Sequence, residues 1–110
     1  YVADFSALRV INVSDPDHLS QTGAVTMPYH VLWSVAVAWP HVYVADRGYG
    51  LHVLDVSDPA DPLPEGFYGT PGNAEGVTTA GDLVFVADGE AGLVILRRQQ
   101  YVYLPLVVRN

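Results

Sequence analysis

Short apolar runs alternate with turn-forming residues along the whole chain, and no stretch keeps the 3.6-residue period of a helix. The runs are rich in Val, Leu, Tyr and Phe, which suit a pleated, half-buried surface. Between them stand Gly, Pro and Asp, which favour turns because of their backbone angles or their side-chain bonds to the backbone. The pattern predicts a chain made almost entirely of strands and turns.

Four apolar runs follow one another in the middle of the chain, at 32–38, 42–46, 51–56 and 64–70. In the third run Leu51 and Val53 alternate with Leu54 and Val56, so that both faces of this strand are largely apolar. A sheet with one wet face would alternate apolar and polar residues instead. We therefore expect this strand to be covered on both sides.

One phrase recurs with a spacing of 42 residues: Tyr-Val-Ala-Asp begins at Tyr1 and Tyr43, and Phe-Val-Ala-Asp begins at Phe85. Repeats of this length with four short strands are typical of propeller blades. The predicted fold class is all-β, with four-stranded antiparallel β-propeller blades, about two and a half of them in this chain, and an incomplete ring. The expected segments are a partial blade at 1–28, a complete blade at 29–71, a partial blade at 72–97 and a strand-like tail at 98–110.

The tail carries the run Tyr-Val-Tyr-Leu-Pro-Leu-Val-Val at 101–108, which has two interpretations. It folds back as the missing fourth strand of the last blade, where Pro105 is tolerated because the outermost strand is an edge. Alternatively, it leaves the blade and pairs with another chain by strand addition.

The segment Leu-His-Val-Leu-Asp-Val-Ser-Asp-Pro at 51–59, after Tyr-Val-Ala-Asp-x-x-x-Gly, resembles the LVIVD-repeat propellers. The resemblance covers residues 1–97, and it implies a secreted or cell-surface protein of bacterial or archaeal type without implying a particular activity. The chain departs from the pattern at Phe5-Ser6-Ala7, which lacks a Gly, and in the last copy, which has Arg97-Arg98 where Val-Ser-Asp-Pro should follow.

An incomplete ring predicts partners. A propeller closes with four to eight blades, so the terminal blades of this chain leave apolar faces uncovered, and such faces mark interfaces. We expect the chain to associate with other copies of itself or with further propeller blades. It is not expected to be a self-sufficient monomer.

Composition excludes several classes of function. The chain has no Cys, and hence neither disulfides nor thiolate chemistry. Five Arg, no Lys and twelve acidic residues leave a net charge of −7, which disfavours nucleic acid because its binding depends on cationic contacts to phosphate. No apolar run is long enough to span a bilayer.

The turns between second and third strands should share one end of the blades with the connections between blades. Asp4, Asp46 and Asp88 recur there, and their carboxylates either form an acidic rim for a divalent cation such as Ca²⁺ or cap their own turns by accepting N–H groups. The Ser-Asp-Pro segments after the third strands present the same choice between Ca²⁺ binding and Asx turns. The ligand-binding candidates at this end are Trp33, Asp46, Arg47, Tyr49, Asn73, Glu75, Asp88 and Glu90.

The sequence gives little indication of a zinc site or a catalytic nucleophile. His18, His30, His41 and His52 do not show the spacing of a zinc motif, and no Gly-x-Ser-x-Gly nucleophile elbow is present. Tyr29, Trp33, Trp39 and Tyr49 either stack on carbohydrate rings or fill the gaps between blades.

Two functions remain in view. The first is a non-catalytic extracellular or cell-surface propeller module for binding or self-assembly, without a cofactor. The alternative is a C-terminal fragment of a propeller enzyme with an axial, metal-dependent site. Fold alone does not choose between them, because propellers host both.

Overall fold

The computed structural model describes residues 1–27, 30–99 and 102–109, and strands β1–β11 run through these residues in three antiparallel sheets. The first sheet contains β1 (Val2–Asp4), β2 (Ala7–Asn12) and β3 (Ser20–Thr26). The middle sheet contains β4 (Leu32–Ala38), β5 (His41–Asp46), β6 (Gly50–Asp55) and β7 (Leu63–Gly69). The third sheet contains β8 (Gly76–Ala80), β9 (Leu83–Ala87), β10 (Leu93–Gln99) and β11 (Val102–Arg109), with a 3₁₀ turn at Gly89–Ala91.

The middle sheet is covered on both faces, as its two-sided apolar pattern predicts. Val42 and Val44 of β5 join an apolar cluster with Leu8 of the first sheet. Tyr43 and Ala45, on the opposite face of the same strand, join a second cluster with residues of the third sheet. Every residue of β5 is consequently buried.

The innermost strands of neighbouring sheets lie side by side, since β4 contacts both β1 and β8. Each sheet follows sequence order from its inner to its outer strand, and the three sheets form no closed ring. This arrangement confirms the prediction of partial propeller blades. In the described residues no helix is long and apolar enough to cross a membrane.

The tail completes the third sheet. β11 pairs antiparallel with the outer edge of β10, so the fold-back interpretation is confirmed. Pro105 lies opposite Leu96 in this edge strand, where the N–H that proline lacks is not required by a further neighbour. The third sheet therefore has four strands, as a complete blade does.

A bulge interrupts the outermost pairing of all three sheets. In the middle sheet Val53 pairs with Gly66 and Leu54 with Pro64, so Glu65 has no partner opposite it. The register shifts in the same way between β2 and β3 and between β10 and β11. A bulge bends an edge strand and redirects a side chain, and here it recurs at the same place in all three sheets.

The hairpin that joins the second and third strands of the repeat, β5 and β6 in the middle sheet and β1 and β2 in the first, has two forms. In the middle sheet Gly50 takes a φ of +141°, and a Cβ there would lie 2.2 Å from the carbonyl oxygen of Tyr68. The first sheet, whose sequence lacks this glycine, turns in a shorter hairpin from Asp4 to Ala7, in which Phe5 takes a φ of +41°. The missing glycine is thus matched by a different turn.

Candidate functional site

A polar cleft of about 800 Å³ lies at the end where the connections between sheets meet the second-to-third-strand turns. Its lining includes four of the eight predicted ligand-binding residues: Arg47, Asn73, Glu75 and Glu90. They meet because the turn after β5, the connection leading into β8 and the 3₁₀ turn after β9 converge at this end. The cleft can accept a small polar ligand, with one guanidinium and two carboxylates at its wall.

Asp88 lies buried near this cleft and holds the connection that forms part of its wall. Its Oδ2 accepts the N–H of Gly72 at 2.7 Å, whereas its Oδ1 is buried without a hydrogen-bond partner among the described residues. Gly72 must lack a side chain, because a Cβ there would lie 2.2 Å from the carbonyl oxygen of Asp88.

Trp33 and Tyr49 stand apart from the cleft lining. The guanidinium of Arg47 lies 5.2 Å from the centre of the Trp33 ring, and Trp33 in turn stacks on Phe5 at 5.8 Å. Trp39 is exposed after the opposite end of β4, so the two tryptophans do not form one stacking platform. Tyr29 lies outside the described residues.

The repeated aspartates have three different surroundings. Asp4 is exposed and pairs with Arg9 at 2.8 Å, while Asp46 and Asp88 are buried. The buried carboxylates accept main-chain N–H groups, as the capping hypothesis expects, but the donors Val31 and Gly72 belong to the preceding connections. The turn after Asp46 is closed by its carbonyl oxygen, which accepts the N–H of Tyr49 at 3.0 Å.

Asp46 is also the centre of a cluster with two histidines. His52 Nε2 donates to Asp46 Oδ2 at 2.6 Å, and His30 Nδ1 forms a short hydrogen bond with the same oxygen. The side chains of His30 and His52 are 29% and 14% exposed. The Tyr49 ring packs on His30 at 4.3 Å, and the Phe67 ring packs on His52 at 4.8 Å. The three side chains could hold a metal ion.

The spacing of the histidines along the sequence did not predict this cluster, because its residues come together only in the folded chain. His52 pairs with Val44 across β5 and β6, which places Asp46 diagonally next to it on the same face of the sheet. His30 arrives from the connection before β4, where Leu32 pairs with Asp46. A comparison of the repeats could have provided a signal, since Arg9, the counterpart of His52, also pairs with its own repeat aspartate.

At the opposite end of the sheets, polar side chains close Asx turns. Asp15 Oδ1 accepts the N–H of Asp17 at 3.1 Å, and Asp58 Oδ1 accepts the N–H of Ala60 at 3.0 Å. These bonds agree with the turn interpretation of the Ser-Asp-Pro segments. Asp55 accepts both the hydroxyl and the N–H of Ser57, and these bonds hold the pKa of its carboxyl below the usual value.

Three sheets of repeated sequence, packed face to face with adjacent inner strands, define a propeller-like repeat module. The LVIVD repeat family matches residues 1–27, 32–70 and 71–96, and the chain belongs to this family. No curated protein and no solved structure matches the chain.

Proposed function

We propose that this chain is a non-catalytic propeller module that functions by assembly, and that its two open sheet faces dock head to tail on a second copy of the chain. One observation carries the proposal. Positions that are buried between sheets inside the chain recur, exposed and apolar, on the outer faces of the first and third sheets.

The outer face of the third sheet consists of Thr78, Phe85, Ala87, Leu93 and Ile95. The antiparallel register puts these residues on one side, because Phe85 pairs with both Thr78 and Ile95, and Leu93 pairs with Ala87. Five of the six residues lining its groove of about 270 Å³ are apolar or glycine. In the repeat, Leu93 corresponds to Leu51, which is fully buried against the third sheet, yet Leu93 is 39% exposed.

The outer face of the first sheet follows the same rule. Val2 corresponds to Val44, which is fully buried, and Val2 is 45% exposed. Val13, just beyond β2, corresponds to the buried Val56 and is 65% exposed. Arg9 crosses this face and bonds Asp4 and Gln21, so the face is mixed, whereas the outer face of the third sheet is mainly apolar.

These equivalences favour a head-to-tail contact. The outer face of the third sheet carries the repeat equivalents of the residues with which the middle sheet packs on the third sheet. The outer face of the first sheet carries the equivalents of the residues with which the middle sheet packs on the first sheet. A copy added at either end would repeat a packing that already exists twice within the chain. Two copies of the third sheet face to face would repeat no packing of this chain.

The test measures the mass of the particle in solution by light scattering over a range of concentrations. We expect the wild-type chain to associate, Ala87→Arg and Val2→Arg each to weaken association, and the control Ala60→Arg, at an exposed turn, to leave it unchanged. An equimolar mixture of Ala87→Arg and Val2→Arg should associate again, because one intact face remains on each chain and the two are complementary.

Two outcomes would overturn the proposal. A wild-type chain that stays monomeric at every concentration removes the second copy as the occupant and leaves other propeller blades as the alternative. Disruption by Ala87→Arg alone, with Val2→Arg assembling normally, would indicate an interface that joins two third sheets and not a head-to-tail one.

We further propose a secreted or cell-surface location for the module. The resemblance to LVIVD-repeat propellers and the acidic balance of the chain support this location. Fractionation of source cells into cytoplasm, envelope and medium, with antibody detection, tests it, and recovery in the cytoplasm alone would contradict it.

A further inference from the structure

We propose that His30, Asp46 and His52 form a binding site for a divalent transition-metal ion, with Zn²⁺ as the probe. The inference stands apart from the assembly of the chain, because these residues all lie in the middle sheet and the connection that precedes it. It concerns a site in the interior of the repeat, away from both outer faces.

The arrangement of donors is the first argument. Asp46 is fully buried, and a single oxygen of its carboxylate receives two imidazole nitrogens, from His30 and His52. The other oxygen already accepts the N–H of Val31 at 3.2 Å. Because both imidazoles converge on one carboxylate oxygen, a cation with nitrogen and oxygen ligands would sit between these three side chains.

The ligand atoms suit a transition metal better than a hard cation. Imidazole suits Zn²⁺, Cu²⁺, Ni²⁺ and Fe²⁺, whereas Ca²⁺ and Mg²⁺ take oxygen ligands. One ligand atom from each side chain lies within 4.8 Å of the other two. Ligands ~2.1 Å from one tetrahedral ion are separated by ~3.4 Å, so His52 Nε2, now 2.6 Å from Asp46 Oδ2, would need only a small outward rotation.

The surroundings support a bound ion. The rings of Tyr49 and Phe67 pack on the two imidazoles and limit their rotation. His30 is the most exposed of the three ligands and gives the site a route to solvent. With three protein ligands, the remaining coordination positions would be filled by water, as in metal sites that keep an open position.

The other repeats show that the fold does not require these imidazoles. At the position of His52 the first copy has Arg9, which pairs directly with Asp4, and the third copy has the apolar Val94. His30 lies between the matched repeat segments 1–27 and 32–70. The histidine pair is therefore an addition to the middle copy, and His52→Val reproduces a side chain that the fold already accepts at the equivalent place.

The competing explanation is an ordinary ion pair, like that of Arg9 and Asp4. Titration of the metal-free chain with Zn²⁺ in a calorimeter distinguishes the two. We expect one ion per chain, at least about a tenfold loss of affinity in His52→Val and in His30→Ala, and no change in His18→Ala. His18 is the matched control, because it forms an exposed pair with Asp15 at 3.0 Å outside the cluster.

A second measurement keeps the test independent of variants that fold poorly. Zn²⁺ added to the wild-type chain should shift the NMR signals of the His30 and His52 rings and leave those of His18 and His41 in place, while Ca²⁺ should shift none of them. Absence of saturable Zn²⁺ binding by the wild-type chain would overturn the proposal. So would binding that persists unchanged in a folded His52→Val variant, or ring shifts confined to His18. The same titration on Ala87→Arg should give the same stoichiometry, which separates this site from assembly.

Discussion

Glu65 reaches across β6 to His41, and its Oε2 lies 2.8 Å from Nε2 of the histidine. The bulge in β7 makes this possible, because Glu65 is the residue without a partner in the pairing of β6 with β7. The His41 side chain is only 5% exposed, so this ion pair is largely shielded from solvent. The contact joins two strands that are not neighbours in the sheet.

Replacing Glu65 by Ala should therefore destabilise the chain by about 2 kcal/mol, since it removes the carboxylate that lies 2.8 Å from a buried imidazole. Urea unfolding measures the free energy. The double variant Glu65→Ala with His41→Val should recover part of the loss, because it removes both polar groups. A loss below about 0.5 kcal/mol, the scale of ordinary surface substitutions, would show that the contact is not needed.

Gly72 offers a steric prediction. Gly72→Ala puts a methyl group 2.2 Å from the Asp88 carbonyl, so the connection must move and the bond from the Gly72 N–H to Asp88 weakens. We expect a loss of about 2 kcal/mol or more in thermal or urea unfolding. Gly66→Ala is the matched control, because its added methyl group meets nothing closer than 3.9 Å. Equal effects of the two substitutions would contradict the steric explanation.

The carboxyl group of Asp55 should make the stability of the chain depend on pH. Its bonds from Ser57 lower its folded-state pKa below the unfolded value of 3.8, so its contribution to stability is complete above that value and is lost as the pH falls through the folded pKa. Asn12, the counterpart in the first copy, accepts the N–H of Ser14 at 2.9 Å without a charge.

Asp55→Asn should therefore fold normally at neutral pH but lose less stability than the wild-type chain as the pH falls. Urea unfolding at a series of pH values from neutral to strongly acidic compares the two proteins. Parallel pH curves for variant and wild type would rule out a linked titration of Asp55.

The paired positions Leu51 and Leu93 separate packing within the chain from packing between copies. Leu51→Ala should cost about 2–5 kcal/mol, because Leu51 is fully buried. Leu93→Ala should cost less than about 1 kcal/mol in dilute solution, where it is partly exposed, and should weaken association at higher concentration. Unfolding measured at two protein concentrations checks both. Equal losses at low concentration would mean that Leu93 is already covered within one chain.

Sequence reasoning succeeded where burial on two faces constrains the strand. The four strands expected at 32–38, 42–46, 51–56 and 64–70 begin and end within one residue of β4–β7. The separation of Leu51 and Val53 from Leu54 and Val56 onto opposite faces is also confirmed. A shift by one residue would exchange the faces of a strand, so the pattern leaves little freedom.

The candidate site was harder to predict, because contacts between distant segments build it. Nothing in the spacing of His30 and His52 indicates that both reach one oxygen of Asp46. The bulge at Glu65 is equally hidden, because a run of apolar and turn residues does not mark which position lacks a cross-strand partner. The expected turn positions placed Arg47 and Glu90 at one end of the blades, but only the fold defines which of the eight candidates line the same cleft.

The number of sheets in one chain restricts any closed architecture. The described residues of this chain form three sheets, so a circle built only from such chains would hold a multiple of three sheets, and six is the only such multiple between four and eight. A closed particle would then hold two chains related by a twofold axis, with two identical seams. Its mass should be twice that of the polypeptide, and a larger discrete or continuous series of masses would signify an open spiral in its place.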